Sequence, residues 1–421
     1  MTGVRTPHPR QRTGIGGGRA EGIAPSRPRH AAARRAGAAR APLEMKAVVR
    51  TRDLRYGLRR ALWARLQPGS HAVATCGRYP APGTGVMVRR AGDRSTHYAG
   101  LVTCGSISGC PCCSAKIRAE RRDEIEAAVR VHTERGGGAL FVTLTLPHTR
   151  AQGLIEVWDL LARAFDGVIR GRHRQALRDE FGVVGFIRCT EVTHGRHGWH
   201  PHVHILMLVD RPWDDLGRVA DLWRWIHTRW ARRVVALGGK APSLARGVQV
   251  IPCWSEVTAL SQYLAAVSGD ISTEMAGPDT KGARLPGSRS PFTLLHDAVE
   301  HDDAAAWDLY TEWLVGAKGR RLIAWSRGLR EHLGLHERAD EEIARDRDPA
   351  EVVAYLTRDA WRAMLGTRCT LEALTAAEAG GAHGMTTALR GWGINAWLDQ
   401  VRDGPPVIRV RRPTRTGWAD L

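Results

Sequence analysis

The stretch WHPHVHILMLV at residues 199–209 places histidines at every second position and then continues as an unbroken apolar run. Successive side chains on a β-strand point to opposite faces, so His200, His202 and His204 share one face of such a strand. The intervening apolar residues take the other face. The pattern predicts an apolar strand of a central sheet that gathers imidazole groups on one side, where two of them can bind one metal ion.

A carboxylate that could complete such a site lies on the preceding predicted strand, GVVGFIRCTEV. If the two strands pair antiparallel through a turn of even length, Glu191 lies opposite His202, with the two Cβ atoms within about 5 Å. An odd turn length would place Glu191 on the other face. Two histidines and a carboxylate without thiols favour Mg²⁺ or Mn²⁺ acting on a phosphate. The alternative is a histidine-rich surface strand that binds nothing.

A second candidate metal site is formed by cysteines before the histidine strand. Cys110 and Cys113 have the two-residue spacing of a zinc knuckle, Cys104 supplies a third thiolate and Cys76 the fourth. Cys112 could replace one of them, and the alternative is a set of reduced thiols. The remaining cysteines are isolated and are expected to be ordinary buried thiols: Cys189, Cys253 and Cys369.

The charge of the chain indicates its class of partner. A formal net charge of +19 and a pI near 10.5 favour a polyanion. No stretch has the roughly 20 apolar residues of a membrane span, and the N-terminus lacks the apolar core of a secretory signal. Eight cysteines without an export signal are more typical of metal ligands than of disulfides. We therefore expect a cytoplasmic protein with no membrane partner.

Strands and helices alternate without regular βαβ phasing, which predicts an α+β fold with an antiparallel sheet. We expect a disordered basic tail over 1–44, unless translation starts at Met45, and a Cys-rich zinc-binding region with a helix over 45–135. A domain carrying the histidine strand follows over 136–276, and a mostly helical region over 277–421 that could bind DNA. Within the domain we expect one long helix over 152–179. A Trp-rich helix over 223–233 should use its tryptophans in the core rather than for base stacking.

A metal that acts on a phosphodiester needs a nucleophile to accompany it. Tyr263 lies in SEVTALSQYLAAVS, a predicted helix that begins after Ser255, just beyond a strand. The helix would present its hydroxyl over the sheet, or Tyr263 would simply join the apolar stripe of the helix. From the spacing alone both interpretations stay open.

Four stretches in order, CGSISGCPCC, FVTLTLPH, EVTHGRHGWHPHVHILMLV and SQYLAAVS, resemble the rolling-circle replication initiators (Rep proteins) of small plasmids. These initiators form part of the HUH endonuclease superfamily, and the actinobacterial group is the most similar. The downstream stretches SRSPFTLLHDA and KGRRLIAWSRGLREHLGL also resemble that group. The resemblance covers most of residues 70–340.

The resemblance implies an HUH nuclease-like sheet in which His202 and His204 bind a catalytic divalent ion together with Glu191. It also implies that Tyr263 is the nucleophile of a site-specific DNA nickase and strand transferase, which stays bound to the 5′ end as a phosphotyrosine. The implied partners are single-stranded or hairpin origin DNA and the host replication helicase and polymerase.

Two features depart from the pattern of the family. Many relatives carry a lysine soon after the YL of the tyrosine motif, and this chain reads YLAAVS. Ala259 stands where some relatives have a glutamate that activates water for termination.

Tyr355 is a reserve nucleophile, expected in a helix core, and Tyr310 is a second one. The alternatives are an HUH-type transposase and a non-catalytic, zinc-containing DNA-binding regulator.

Overall fold

The computed structural model describes residues 40–92, 94–253, 287–345 and 350–411, with side chains from residue 51 onwards. The chain falls into two units, Met1–Glu44 and Met45–Leu421, and the fold described here is that of the second. Most of the predicted tail and all of the predicted tyrosine helix lie outside the described residues. Within those ranges, no helix is both long enough and apolar enough to cross a membrane.

The histidine strand lies at the centre of a five-stranded sheet. This central sheet has the order β6-β3-β5-β4-β7, and all of its neighbouring strands pair antiparallel. Its strands are β3 (Gly138–Thr145), β4 (Val183–Gly195), β5 (Gly198–Val209), β6 (Val248–Cys253) and β7 (Ile323–Trp325). The predicted antiparallel sheet, with the histidine strand in its middle, is therefore present.

Helices cover both faces of the central sheet because β5 is apolar on both sides beyond the histidines. Val203 and Ile205 point to one face and pack in one buried cluster with three helices. Leu206 and Leu208 point to the other face and pack against two further helices. The first group is α3 (Leu154–Ile169), α4 (Arg172–Phe181) and α5 (Leu216–Ala236), and the second is α2 (Pro111–Glu134) and α8 (Leu329–Leu333). His202 and His204 lie on the α2 and α8 face.

The prediction of a single long helix over 152–179 is wrong, because the chain forms α3 and α4 instead. Gly171 separates them with φ 59° and ψ −133°, a backbone conformation that glycine adopts and side chains oppose. The residues from Arg170 to Gln175 are glycine or polar, so the apolar pattern itself is interrupted at the break.

The Trp-rich helix is present as α5, and its tryptophans serve the core as predicted. Trp230 is fully buried, and Trp225 is buried beneath the guanidinium of Arg229. Trp223 is half-buried, and its Nε1 donates a hydrogen bond to the carbonyl oxygen of Val248 at 2.9 Å. This hydrogen bond joins α5 to the edge strand β6.

Strands from both ends of the described chain build a second sheet. Its order is β2-β1-β8-β10-β9, in which β8 and β10 are parallel and the other pairs antiparallel. The strands are β1 (Val86–Arg90), β2 (Thr96–Ala99), β8 (Glu351–Leu356), β9 (Ala396–Asp399) and β10 (Val407–Val410). Two regions that the sequence analysis treated as separate thus share one sheet.

Helices outnumber strands after residue 287, as expected, but the short strands β7 to β10 were not anticipated. The helices there, besides α8, are α6 (Pro291–Glu300), α7 (Ala304–Gly316), α9 (Asp340–Arg345), α10 (Arg358–Gly366) and α11 (Thr370–Gly391). Strands of three to six residues offer too few alternating positions for a sequence signal. Tyr355, expected in a helix core, lies on β8. The helix α1 (Arg40–Arg65) precedes the second sheet along the chain.

Candidate metal centres

The hairpin of β4 and β5 fixes the histidine site. The strands pair as far as Gly195 opposite Gly198, which leaves a two-residue turn of Arg196 and His197. This even turn length places Glu191 opposite His202. The pairing is the one that the sequence analysis predicted.

The carboxylate of Glu191 lies between two imidazoles. Its Oε2 is 2.5 Å from Nε2 of His202 and 3.3 Å from Nε2 of His204. The three side chains offer ligand atoms that all lie within 4.8 Å of one another. Two nitrogens and a carboxylate oxygen at this separation could hold a divalent cation and would leave its other positions to substrate or water.

Strand β3 orients the imidazole of His204. Thr143 lies opposite His204 in the sheet, and its Oγ1 is 3.1 Å from Nδ1 of that ring. Phe141 stacks on the same ring, with centroids 5.4 Å apart and planes 17° from parallel. A partner at Nδ1 fixes the tautomer and directs Nε2 towards Glu191. Thr143 and Phe141 were not predicted as part of the site, although both belong to the stretch FVTLTLPH.

The protonation states suit coordination. Burial raises the pKa of Glu191, but hydrogen bonds with His202 and His204 outweigh it, so the net pKa is lowered and the carboxylate is ionised at neutral pH. Burial lowers the pKa of His204, which keeps that ring neutral. A carboxylate and a neutral imidazole are the forms that bind metal. Within the described residues, the buried Nδ1 of His202 has no hydrogen-bond partner.

The third histidine does not join this cluster. Nδ1 of His200 lies 2.9 Å from Nε2 of His148, a residue that follows β3. Burial, followed by the neighbouring His202 and His148, lowers the pKa of His200 to about 4, so its ring is neutral at pH 7. The two rings form a neutral polar pair at the end of the histidine row.

The four predicted cysteines come together. The Sγ atom of Cys113 is 3.5 Å from that of Cys76 and 3.7 Å from that of Cys104, and the Sγ atoms of Cys110 and Cys76 are 3.6 Å apart. Four thiolates at the zinc–sulfur distance of about 2.3 Å around a tetrahedral ion would be about 3.8 Å apart. The cluster fits that geometry. Cys112 lies outside it and points its Sγ at the carbonyl oxygen of Arg55, 3.6 Å away.

The Cys₄ cluster joins two parts of the fold. Cys110 caps the N-terminus of α2 and Cys113 lies in its first turn, after Pro111 at the start of the helix. Cys76 precedes β1 and Cys104 follows β2, so the other two ligands stand at the base of the β1–β2 hairpin. The cluster therefore ties the hairpin of the second sheet to a helix that packs on the central sheet.

The tyrosine candidates have different environments. Tyr263, with Ser255 and Ala259, lies outside the described residues. Tyr310 on α7 is fully buried, and its hydroxyl donates a hydrogen bond to the carbonyl oxygen of Gly109 at 2.6 Å. Burial raises the pKa of Tyr310 well above its usual value, and its hydroxyl is enclosed in the protein core. Tyr355 is half-buried on β8 in the second sheet, which does not contain the Glu191 site.

Comparison with known proteins identifies the relatives of the chain. A family model described as a replication protein matches residues 101–227. The chain is 32% identical over 367 residues to the "Protein rep" of Streptomyces lividans, a match that covers 70% of this chain and 80% of that protein. No solved structure matches the chain.

Two shorter matches involve about a third of each relative. A "Neomycin resistance protein" of Streptomyces cyanogenus is 33% identical over 153 residues, covering 30% of this chain and 35% of that protein. The "Protein rep" of Streptococcus pneumoniae is 29% identical over 106 residues, covering 24% of this chain and 31% of that protein. The long match to the Streptomyces lividans protein, together with the family model across the histidine hairpin, shows that the chain belongs to the Rep family of plasmid replication initiators.

Proposed function

We propose that this chain is a metal-dependent tyrosine nickase and strand transferase of the HUH type, acting at a plasmid replication origin. The observation that carries the proposal is the convergence of Glu191, His202 and His204 on one face of an antiparallel sheet in a member of the Rep family. A neutral, oriented imidazole and an ionised carboxylate suit Mg²⁺ or Mn²⁺ rather than a thiol-seeking ion.

The bound ion would supply Lewis-acid stabilisation of charge on the scissile phosphate. Glu191 and His204 are held in the coordinating state by their mutual contact and by Thr143. Tyr263 is the proposed nucleophile: its hydroxyl oxygen forms the bond to phosphorus, and the bond from phosphorus to the 3′ oxygen breaks. The products are a 5′-phosphotyrosine and a free 3′-OH that primes synthesis. The reverse reaction rejoins the strand.

The resemblance of SQYLAAVS to the tyrosine motif of the Rep family supports this role. The tyrosine follows the end of β6 by ten residues, and β6 is separated from the histidine strand only by β3. Cys253, the last residue of β6, lies opposite Ala139, which pairs with Leu208, so the chain leaves β6 at the end of the sheet away from His202. Of the reserve candidates, Tyr310 has its hydroxyl buried and Tyr355 belongs to the second sheet.

We propose that the Cys₄ cluster binds a structural zinc ion. Four thiolates at tetrahedral spacing suit a structural zinc ion, and a site closed by four protein ligands has no position for substrate. The ion would fix the β1–β2 hairpin to α2 and take no part in the reaction. The proposed partners are origin DNA, in single-stranded or hairpin form, and the host helicase and polymerase that continue replication.

The test is a nicking assay on single-stranded oligonucleotides that carry candidate origin hairpins, with Mn²⁺, comparing wild type with Tyr263→Phe and Glu191→Gln. We expect a cleaved product with a free 3′-OH and a protein–DNA adduct that resists denaturant, both lost in Tyr263→Phe. Glu191→Gln should lose both products and recover partially at high Mn²⁺ concentration.

Other outcomes would change the assignment. Cleavage that survives Tyr263→Phe would move the nucleophile to Tyr355. Duplex binding without cleavage of any origin would favour a non-catalytic regulator. Activity on transposon ends instead of plasmid origins would favour an HUH-type transposase.

A further inference from the structure

The second sheet has one apolar face, and its other face carries aromatic and basic side chains. Val88, Ala354 and Ile408 point inward and pack with α10 and α11 in a buried cluster. The side chains of the intervening residues point to the opposite face of the sheet. The pairing register places them next to one another across the strands. Val353, at the irregularity between β1 and β8, belongs to the buried cluster, and Met87 on the outward face is buried opposite Tyr355. The remaining outward side chains belong to none of the buried clusters formed by the described residues.

The outward face carries aromatic and basic side chains on neighbouring strands. Tyr355 of β8 lies opposite Val407 of β10, and Arg409 of β10 lies opposite Trp397 of β9. On the other side of β8, Arg89 of β1 is also on this face, opposite Val352. Trp397 is 39% exposed, and Tyr355 is half-buried among its strand neighbours. We call this set, Arg89, Tyr355, Trp397, Val407 and Arg409, the platform.

We propose that the platform binds single-stranded DNA by stacking unpaired bases on Tyr355 and Trp397 and pairing phosphates with its arginines. Exposed aromatic rings on a sheet are the means by which several folds hold unpaired bases, because every base has a face that stacks. Strand spacing and register place the Cα atoms of these two residues roughly 12 Å apart, across β10. This inference rests on the proposed function, because the single-stranded DNA would come from an origin that has been opened for replication.

Charge complementarity supports single-stranded DNA as the ligand of the platform. Arg409 donates from Nε to Asp399, the acidic neighbour on the same face, at 2.8 Å. A guanidinium has five N–H donors, so this ion pair leaves its outer nitrogens for a phosphate. The segments that flank these strands carry three exposed arginines: Arg94 in the β1–β2 turn, Arg402 beside the exposed Asp403 in the β9–β10 turn, and Arg411 after β10.

The platform is also attached to the nuclease part of the fold. The Cys₄ cluster links the base of the β1–β2 hairpin to α2, and α2 packs on the histidine face of the central sheet. A DNA strand bound to the platform is therefore anchored through α2, the helix that borders the Glu191 site. Single-strand binding there would retain one side of the nicked strand while the other is bound to Tyr263.

The test measures the affinity of the full chain for fluorescein-labelled (dT)₂₀, which has no origin sequence and cannot form a hairpin. Trp397→Ala and Tyr355→Ala should each raise the Kd by about 5- to 150-fold, the range for loss of one stacked base. Trp397→Phe and Tyr355→Phe should stay close to wild type because they retain a ring. Affinity for a 20-base-pair duplex should not change, since paired bases cannot stack on a protein ring.

Trp392→Ala is the matched control, because Trp392 is 38% exposed but lies at the C-terminal cap of α11, outside the platform. Unchanged (dT)₂₀ affinity in both alanine variants, or an equal loss in Trp392→Ala, would overturn the proposal and leave the face to a protein partner. Ultraviolet cross-linking of the wild type to (dT)₂₀ gives a readout that needs no folded variant. Adducts should map to Trp397 or Tyr355, and their absence from both would also overturn it.

Failure of the proposed function is separable from failure of this inference. A short oligonucleotide that spans only the nick site tests cleavage by the wild type and does not depend on the platform. If the wild type cuts nothing, the nickase proposal fails while the (dT)₂₀ comparison still decides the platform. If Trp397→Ala still cuts the short substrate but loses (dT)₂₀ affinity, both proposals are supported.

Discussion

Contacts between residues that are not sequence neighbours determine the ring orientation and the protonation state of the histidine site. His204 reaches Glu191 with Nε2 because Thr143 and Phe141, some sixty residues earlier, hold the other side of its ring. The pKa of Glu191 is lowered by two histidines on the next strand. Function at this scale depends on ring orientation as much as on ligand identity.

Thr143→Val should weaken Mn²⁺ binding by about 10- to 100-fold, because the ring of His204 loses its partner at Nδ1. Titration calorimetry on the purified protein would measure it. Thr145→Val is the matched control, since Thr145 lies on the same strand and face and its hydroxyl makes no hydrogen bond among the described residues. Equal Mn²⁺ affinity in the two variants would show that Thr143 does not orient the ring.

Gly77→Ala should lower the free energy of unfolding by about 1–3 kcal/mol, measured by urea denaturation. Gly77 has φ +69°, and a Cβ there would overlap the guanidinium of Arg59. Arg59 is buried between the rings of Tyr56 and Trp63 and has little room to move.

Gly83→Ala provides the comparison for Gly77→Ala. Gly83 has φ +71°, but open space surrounds the added Cβ. Both variants carry the backbone cost of a positive φ, so the difference between them isolates the contact with Arg59. A smaller loss in Gly77→Ala than in Gly83→Ala would contradict the packing argument.

At the scale of elements, the Cys₄ cluster connects a hairpin, a helix and two sheets. The β1–β2 hairpin pairs with β8 on one side only, and the cluster holds its base to α2. A short hairpin with one neighbour depends on such an attachment more than the central strands do.

Cys104→Ser should therefore increase amide hydrogen exchange in β1 and β2 and leave β3, β4 and β5 protected. The physical reason is that metal binding contributes directly to the folding free energy of the segment that it closes. Exchange measured by mass spectrometry, with Cys112→Ser as the control outside the cluster, would check it. The same exchange pattern in both variants would contradict a role for the cluster in holding the hairpin.

The molecule as a whole carries a formal net charge of +19, so its affinity for DNA should depend steeply on salt. If the protein contacts six to ten phosphates, the binding constant should fall by roughly 10³- to 10⁵-fold between 50 and 200 mM salt. Filter binding or fluorescence anisotropy over that range would measure the slope. Trp397→Ala should keep the wild-type slope while losing affinity, because it removes a stacking surface and no charge. A shallow slope would mean that few phosphates are neutralised.

Much of the histidine site could be predicted before the fold was known. Alternation of side chains places His202 and His204 on one face of a strand, and an even turn length places Glu191 opposite them. Both are local properties of a hairpin, decided by the period of a strand and the length of one turn. The cysteine spacing likewise predicted that Cys76, Cys104, Cys110 and Cys113 come together, and their role as metal ligands stays a prediction.

Only the tertiary structure decided the rest. It showed that Thr143 holds the ring of His204, that Cys112 turns away from the thiol cluster, and that Tyr310 is buried. It also assembled the second sheet, whose strands come from residues 86–99 and 351–410 and are too short to show a pattern. The physical reason is that contacts between distant segments depend on which elements pack together, whereas sequence periodicity records only the faces of each element.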